Sequence, residues 1–524
     1  MGTPSPENGL PSASRASNTS GISGTPNNAR GGTRGIARGA NRAHADENGN
    51  AADFNTPIVN PADAASDRTD TNHPSAPASM PTSNNVTSAP APASMPTPTP
   101  AFPRWFGGSE YMHRVTRAVA QYGPIARTTL APLLGLSPGA LSRITGDLIH
   151  QGVIRELPTA NGTGTNASPA QRGRLPEGFT PHEGHARRGR PQTALTLCED
   201  ARTFIGIKVH GASAIAVTVN ARGDIVSGAH EIAFPAERSP EQVTSALTEL
   251  VHACEADVAE MARMSVSTHT DAPTPRKHTP RLPAPVAVGI SVGGHVRDDD
   301  TVTYAPFLRW NRDVPLAAMM RRATGLPCIV CNDIDALLVD ASWFGPGVGL
   351  EAFAVITIGI GVGYSLAMRG QPVTYPDKSY GLLAHVLIDP DGPRCTAGHV
   401  GCAQCLTDNA LANQYSQMMG RACTFDDFVR DARAGMPQAS RLLDRTCFRL
   451  GALIATVANV AMPSAVMIAG ESAFLAKMNV GAIRDGISRY RHSQASPVRF
   501  TVVDHDWRLW AKAAASCAIA RYIG

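Results

Sequence analysis

An α/β protein with a separate helical module in front of it is the fold class this sequence predicts, and three observations predict it. The first 101 residues hold few large apolar side chains. Residues 109–156 carry three short helix patterns and then apolar strand runs. From 198 onward, β-branched runs alternate with helical stretches. A length of 524 residues exceeds one ordinary domain. The expected division is therefore 1–101, 102–197 and 198–524.

The first part is rich in Ser, Thr, Pro, Asn, Gly and Ala, and nearly repeats itself at SAPASMPTS and SAPAPASMPTPTP. Such a composition cannot offset chain entropy, so residues 1–101 read as a disordered low-complexity tail. Arg30, Arg34, Arg38 and Arg42 read as solvated rather than as defined phosphate contacts. Two polar inserts without periodicity, 158–187 and 265–283, read as long loops.

Composition bounds the function classes. Hydrophobic content of 43% with 17% charged residues suits a soluble globular protein with disordered additions. A net charge of +4 is too mild to imply nucleic-acid binding, so a local motif has to carry that. The ten cysteines are scattered over 198–517 without a dense framework, which points to reduced thiols. No apolar segment follows Met1, and no uncharged apolar run reaches the roughly 18 residues a bilayer needs. The expectation is a cytoplasmic protein without a membrane partner.

In the helical module, Tyr111, Val115, Ala118 and Val119 make an apolar stripe on a first helix that ends at Tyr122-Gly123-Pro124. Thr129, Leu130, Leu133 and Leu134 make a short second helix, stopped at Gly135. Ser137 caps a third, whose Leu141, Ile144, Leu148 and Ile149 form its core face. Only Gly135-Leu136-Ser137 separates helices two and three, the short turn that a helix-turn-helix requires.

That geometry predicts Ser137, Pro138, Gly139, Ala140, Ser142, Arg143 and Thr145 on the exposed N-terminal side of the third helix. Small side chains there let a helix enter a major groove about 12 Å wide, and Arg143 suits a guanine edge or a phosphate. Val153–Glu156 and Thr193–Leu197 read as the strands of a wing. Its tip, Arg187-Arg188-Gly189-Arg190-Pro191, offers Arg188 and Arg190 to phosphate or the minor groove. The module thus reads as a winged helix-turn-helix with a long wing insert. A three-helix protein-interaction module with a basic loop is the alternative.

In the third part FIGIKVHG, AIAVTVN, IVSGAHEIA, VAVGISVGG, PCIVCNDI, AFAVITIGIG and AVMIAG are strand candidates, and a helix opens at Ser239-Pro240-Glu241. Two strand-rich halves, each followed by helices, are compatible with a two-lobed nucleotide-binding fold. Cys328 and Cys331 have CxxC spacing, but alternation along a buried strand points them to opposite faces, so they read as core.

On these residues the chain resembles the repressor branch of the ROK family (repressors, open reading frames and sugar kinases). Leu136-Ser137-Pro138-Gly139-Ala140-Leu141-Ser142-Arg143, Gly152-Val153-Ile154-Arg155-Glu156 and Gly189-Arg190-Pro191 carry the likeness, which covers roughly 105–157 and 187–524. The resemblance implies a two-lobed actin/hexokinase-like domain, operator DNA and a small carbohydrate effector as partners, and a homodimer or dimer of dimers. The chain departs from the family at its first phosphate loop, where Lys208, His210 and Ala212 stand at the Asp, first Gly and Thr positions. ATP binding and kinase activity are expected to be lost, leaving no catalytic residues. Thr357–Ser365 matches the second Gly-rich loop only in part and reads as a tight turn. Asn332 and Asp333 follow the family's sugar-binding Asn-Asp element, with a plain strand-end turn as the alternative.

The resemblance also implies a structural zinc. His385, Cys395 and Cys402 fall on three ligand positions, with the ten-residue spacing from His to Cys, while Ala397 occupies the fourth. Cys405 or His399 would complete the set, and the reading taken is His385, Cys395, Cys402 and Cys405. Leu382, Gln404 and Phe307 replace sugar-binding residues of the family. Candidate ligand-binding residues are then Asn332, Asp333, His385 and Gln404. The expected function is a transcriptional regulator, as a repressor, of carbohydrate-metabolism genes, modulated by a sugar or derivative. An active sugar kinase with an appended DNA-binding domain, or a ligand-independent DNA-binding protein, is the alternative.

Overall fold

A computed structural model describes residues 102–157, 193–267 and 282–524, together with Leu175, Pro176 and Phe179. The tail over 1–101, most of both inserts, and the wing-tip Arg188 and Arg190 lie outside the described residues.

The first elements are helix α1 (Glu110–Tyr122), strand β1 (Ile125–Ala126), helices α2 (Arg127–Leu134) and α3 (Pro138–His150), and strands β2 (Ile154–Glu156) and β3 (Ala194–Leu197). Val115 and Val119 of α1, Leu130 of α2 and Leu141 and Leu148 of α3 close on one another as a core. Tyr111, expected on the buried stripe, is instead 50% exposed beside the Arg114 guanidinium. Gly135 stops α2 at φ +65°, a left-handed conformation that glycine adopts without Cβ strain, and its N–H and that of Leu136 close the helix end. Two residues later the Ser137 side chain accepts from the Ala140 N–H at 3.2 Å and starts α3. The three strands form an antiparallel sheet in the order β1-β3-β2, with Ile154 opposite Leu197 and Ile125 opposite Leu195. Sequence patterning did not reveal β1, which is only two residues long.

Beyond them the fold is mixed α/β in two lobes. The first lobe comprises β4 (Thr203–His210), β5 (Ser213–Asn220), β6 (His230–Ala233), α4 (Pro240–Ser267), β7 (Pro285–Val292), β8 (His295–Arg297), β9 (Thr301–Tyr304), α5 (Leu316–Thr324), β10 (Cys328–Asn332) and α6 (Asp333–Phe344). The second comprises β11 (Ala352–Ile358), β12 (Val362–Met368), β13 (Gln371–Pro372), α7 (Asp408–Met419), α8 (Phe425–Arg433), α9 (Pro437–Val460), β14 (Ala465–Ala469), α10 (Leu475–Met478), α11 (Val480–Arg489) and β15 (Phe500–Val502). The final helix, α12 (Trp507–Ile523), returns to the first lobe.

The two five-stranded sheets repeat one topology, β10-β7-β4-β5-β6 and β13-β12-β11-β14-β15 read in opposite directions. In each, the first strand pairs antiparallel with the next and parallel with a later strand brought back by helices. Gly206 and Gly289 sit where α12 crosses the first sheet. A Cβ at either would stand 2.0 Å from a backbone oxygen, of Ala511 or Ala514, so only glycine permits that approach. Cys328 and Cys331 do face opposite sides of β10: Cys328 joins the core under α4 and α5, and Cys331 packs toward α12.

Candidate functional site

A cavity of about 600 Å³ opens where the end of β4, the β10–α6 junction, the β11–β12 turn and the start of α12 converge. The side chains there are set by strand ends, as in open α/β sheets generally. Lys208 leaves β4 only 3% exposed and meets Asp333, 15% exposed, with Nζ 2.6 Å from Oδ2. The ammonium also lies 5.0 Å from the Trp510 ring centroid and 5.8 Å from that of Trp507. His210 stacks on Trp507 at 4.3 Å. Burial pushes the His210 imidazole below its ordinary range, with nearby Lys208 and His505 acting the same way against Glu231. His505 is likewise lowered by burial. Burial raises the Glu471 carboxyl, and Asp333 adds to the rise while Lys208 opposes it.

Asn332 ends β10 and caps α6. Its Oδ1 accepts from the Ile334 and Asp335 N–H groups at 2.9 and 3.2 Å, capping α6, and its Nδ2 donates to the Gly294 carbonyl at 2.8 Å. One amide hydrogen is left for a ligand. Asn332 and Asp333 line the cavity, whereas His385 and Gln404 do not. Gln404 is half-buried in a 3-10 turn over Ala403–Leu406. The His210-Gly211-Ala212-Ser213 stretch forms a two-residue hairpin turn in which His210 pairs with Ser213.

A metal-capable group lies on the loop between β13 and α7. The ligand atoms of His385, Cys395, His399 and Cys402 all lie within 4.8 Å of one another. The His385 and His399 Nδ1 atoms are 3.0 Å apart, and Cys395 Sγ is 4.0 Å from His385 Nδ1. Two thiols and two imidazoles converging on one point are the donor set of a tetrahedral structural site, so the residues fit a zinc-like ion. Desolvation pulls the Cys395 thiol up, but N–H groups of Ala397, His399 and Gly398 and the Cys402 thiol together bring it below its ordinary value. Cys405, expected as the fourth ligand, stands outside this group. It is buried in the 3-10 turn, where desolvation pushes its thiol up to about 11, and His399 takes its place. The reason is local: the Cys395 N–H bonds the His399 carbonyl at 2.8 Å, folding His399 back over the site. Buried Arg449 of α9 holds the loop by pairing with Asp389 at 2.7 Å.

On α3, Ser137, Pro138, Gly139, Ser142 and Arg143 are exposed and Ala140 is half-buried. Thr145 is corrected: it is fully buried, accepting from Arg127 Nε at 2.9 Å and donating to the Ser142 carbonyl at 3.2 Å. Its position four residues after Leu141 and three before Leu148 places it on the core stripe. Arg127 also pairs with Glu156 at 2.7 Å, tying α2, α3 and β2 together.

Helix α1 is fastened to the lobes. Arg117 donates to the Gly370 carbonyl at 2.8 Å and lies 5.2 Å from the Trp343 ring centroid. Gln121 donates to the Ser342 carbonyl at 3.2 Å, and His113 Nδ1 is 2.6 Å from the Ile523 carbonyl oxygen. Ser342 and Trp343 belong to the C-terminal end of α6, whose N-terminal residue is Asp333. One helix therefore joins the cavity to α1.

The duplicated sheets and the cavity at their strand ends define a protein of the hexokinase-like sugar-kinase fold. The sequence model described as the ROK family matches residues 277–507. The chain is 23% identical over 387 residues to the "DNA-binding transcriptional dual regulator NagC" of Escherichia coli K12, covering 71% of this chain and 83% of that protein. It is 23% identical over 386 residues to a "Putative xylose repressor" of Caldicellulosiruptor, covering 71% and 85%. A "Glucokinase" of Thermotoga maritima is 26% identical over 235 residues, 42% of this chain and 69% of the enzyme. A solved ROK-family transcriptional regulator, described as a homologue of the Escherichia coli Mlc protein, shares the fold with a TM-score of 0.56 and 21% identity. That match covers 79% of this chain and 96% of the other.

Proposed function

We propose that this protein is a sugar-responsive transcriptional repressor that binds operator DNA through α3 and releases it when a ligand enters the interlobe cavity. The observation that carries the reading is the continuity of α6, which begins at Asp333 in the cavity and ends against Gln121 and Arg117 of α1. A ligand that moves the first residue of a helix displaces what its other end holds, because a helix of 12 residues is a rigid rod about 18 Å long.

On this reading α1–α3 and the three-stranded sheet are a winged helix-turn-helix. Ser137, Pro138, Gly139, Ala140, Ser142 and Arg143 face the major groove, and Arg188 and Arg190 of the wing tip reach the backbone or minor groove. The regulator and repressor names of relatives that align over 71% of the chain support it. A homodimer would read two half-sites one helical turn apart. The Lys208–Asp333 ion pair supports a binding role over kinase chemistry, since a carboxylate bonded to an ammonium is a poor acceptor for a hydroxyl proton. His385, Cys395, His399 and Cys402 would hold a structural zinc that stiffens the loop beside the second lobe. Among the described residues no helix is long and apolar enough to cross a membrane, which is consistent with work in the cytoplasm.

Fluorescence anisotropy of the full chain on labelled fragments of its own upstream region tests the proposal. Sequence-selective binding that weakens in Arg143→Ala is expected. Binding that unrelated DNA competes away equally well, or ATP-dependent phosphorylation of any hexose, refutes it.

A further inference from the structure

The cavity's chemistry narrows the ligand further. Lys208 is its only lysine or arginine among the described lining residues, and its charge is already met by Asp333 at 2.6 Å and enclosed by two indoles. The other titratable lining groups, tyrosines aside, are His210, Asp333 and Glu471. Burial drives both the imidazole of His210 and the carboxyl of Glu471 toward their neutral forms. No unpaired lysine or arginine is left among the described lining residues to neutralise a phosphate or carboxylate, so an anion brought here would lose hydration without a cation in return.

What the cavity offers instead is ring surface. Tyr304, Phe307 and Tyr380 remain 41%, 43% and 49% exposed at its rim, far more than aromatic rings in a finished core. Tyr380 is held in place by stacking on His295 at 5.0 Å. Phe307 adjoins the polar anchor directly: a Cβ built on Gly293 would lie 3.1 Å from the Phe307 ring and 3.3 Å from Asp333 Oδ2. A hydroxyl bound by Asp333 therefore brings its neighbouring group close to the Phe307 ring. The volume of about 600 Å³ falls within the roughly 300–1,000 Å³ that holds drug-sized ligands, more room than one sugar ring fills.

We propose that the cavity takes an uncharged glycoside, in which one sugar ring bonds the Asp333 carboxylate and a second ring-shaped group stacks on Phe307 and Tyr380. A free hexose or a sugar phosphate is the poorer ligand. This rests on the effector reading above.

Isothermal titration of the full chain with matched sets tests both. Glucose, N-acetylglucosamine and xylose are each offered as the free sugar and the 4-nitrophenyl glycoside, and the two hexoses also as the 6-phosphate. For at least one sugar the nitrophenyl glycoside is expected to bind at least ten-fold tighter than the free sugar. Phe307→Ala and Tyr380→Ala each weaken the glycoside about two- to ten-fold more than they weaken the free sugar, the yield of one stacked ring. Both side chains are partly exposed at the rim, and melting temperatures near that of the parent protein verify that the variants fold. Equal binding of free sugar and glycoside, or tighter binding of the 6-phosphate, overturns the glycoside proposal while leaving a sugar effector in place. No heat from any member of the panel overturns the effector reading and this inference together.

Discussion

Replacing Asp333 by alanine strands the Lys208 ammonium inside the protein. Lys208 is 3% exposed and has Asp333 as its 2.6 Å ionic partner, so the variant keeps a desolvated cation with only the indole faces of Trp507 and Trp510 beside it. Breaking a buried pair by removing one member costs about 3–5 kcal/mol. The lower end applies, because the two indoles persist and Asp333 itself is 15% exposed, so the expected loss is about 3 kcal/mol. The reciprocal change is milder. Lys208→Met leaves a carboxylate that faces the cavity and still accepts the Ile334 N–H at 2.9 Å, and about 1–2 kcal/mol is expected. Changing both residues, Lys208→Met with Asp333→Leu, removes both charges and should recover most of the loss. Urea unfolding followed by tryptophan fluorescence reads the effect beside the pair itself. Equal costs for the two single variants, or a double variant as unstable as their sum, would refute the argument that an orphaned ammonium sets the energy.

Three further outcomes follow from the same geometry. Zinc is expected to bind at one ion per chain by elemental analysis; His399→Ala abolishes retention through gel filtration and Cys405→Ala does not, and the opposite pattern would restore Cys405 as the ligand. Gln121→Ala with Arg117→Ala should leave DNA affinity near that of the parent while shrinking the ligand's effect on DNA binding, by a coupling of about 0.5–2 kcal/mol. Unchanged ligand response in anisotropy would remove α6 as the link. The Asp427 carboxyl is held down to about 2 by the Thr424 N–H and hydroxyl and by Arg430, so its stabilisation of α8 is present above the ordinary range near 4. It is lost as pH falls from about 4 through about 2. Asp427→Ala should therefore lower the melting temperature at neutral pH, with the difference closing toward pH 2.

Much of this protein was legible in the residues alone because it is decided within a few turns of chain. Gly135-Leu136-Ser137 specifies a helix stop and a helix start through local backbone and hydroxyl bonds. Leu141 and Leu148 announce a buried face by their spacing, and the alternation at Cys328 and Cys331 reads out two sides of one strand. The same spacing argument went astray at Tyr111, whereas at Thr145 it points to the core and the expected exposed placement ran against it. A stripe tells which residues share a face but not how far the neighbouring elements cover it, and Arg127 of another helix covers Thr145.

At the sites, tertiary structure did more of the deciding. Lys208 and Asp333 stand 125 residues apart, and only the parallel pairing of β4 and β10 with β7 between them brings the two strand ends together. The sequence reading chose Cys405 over His399 as the fourth ligand, but a backbone bond turns His399 inward and the core takes Cys405. Composition, periodicity and caps determined the α/β class and the helix turn, since those preferences act through neighbouring residues. Which charge is paired, which thiol is buried and which helix joins the cavity to α1 were decided by packing, because each depends on desolvation by segments far away in the chain.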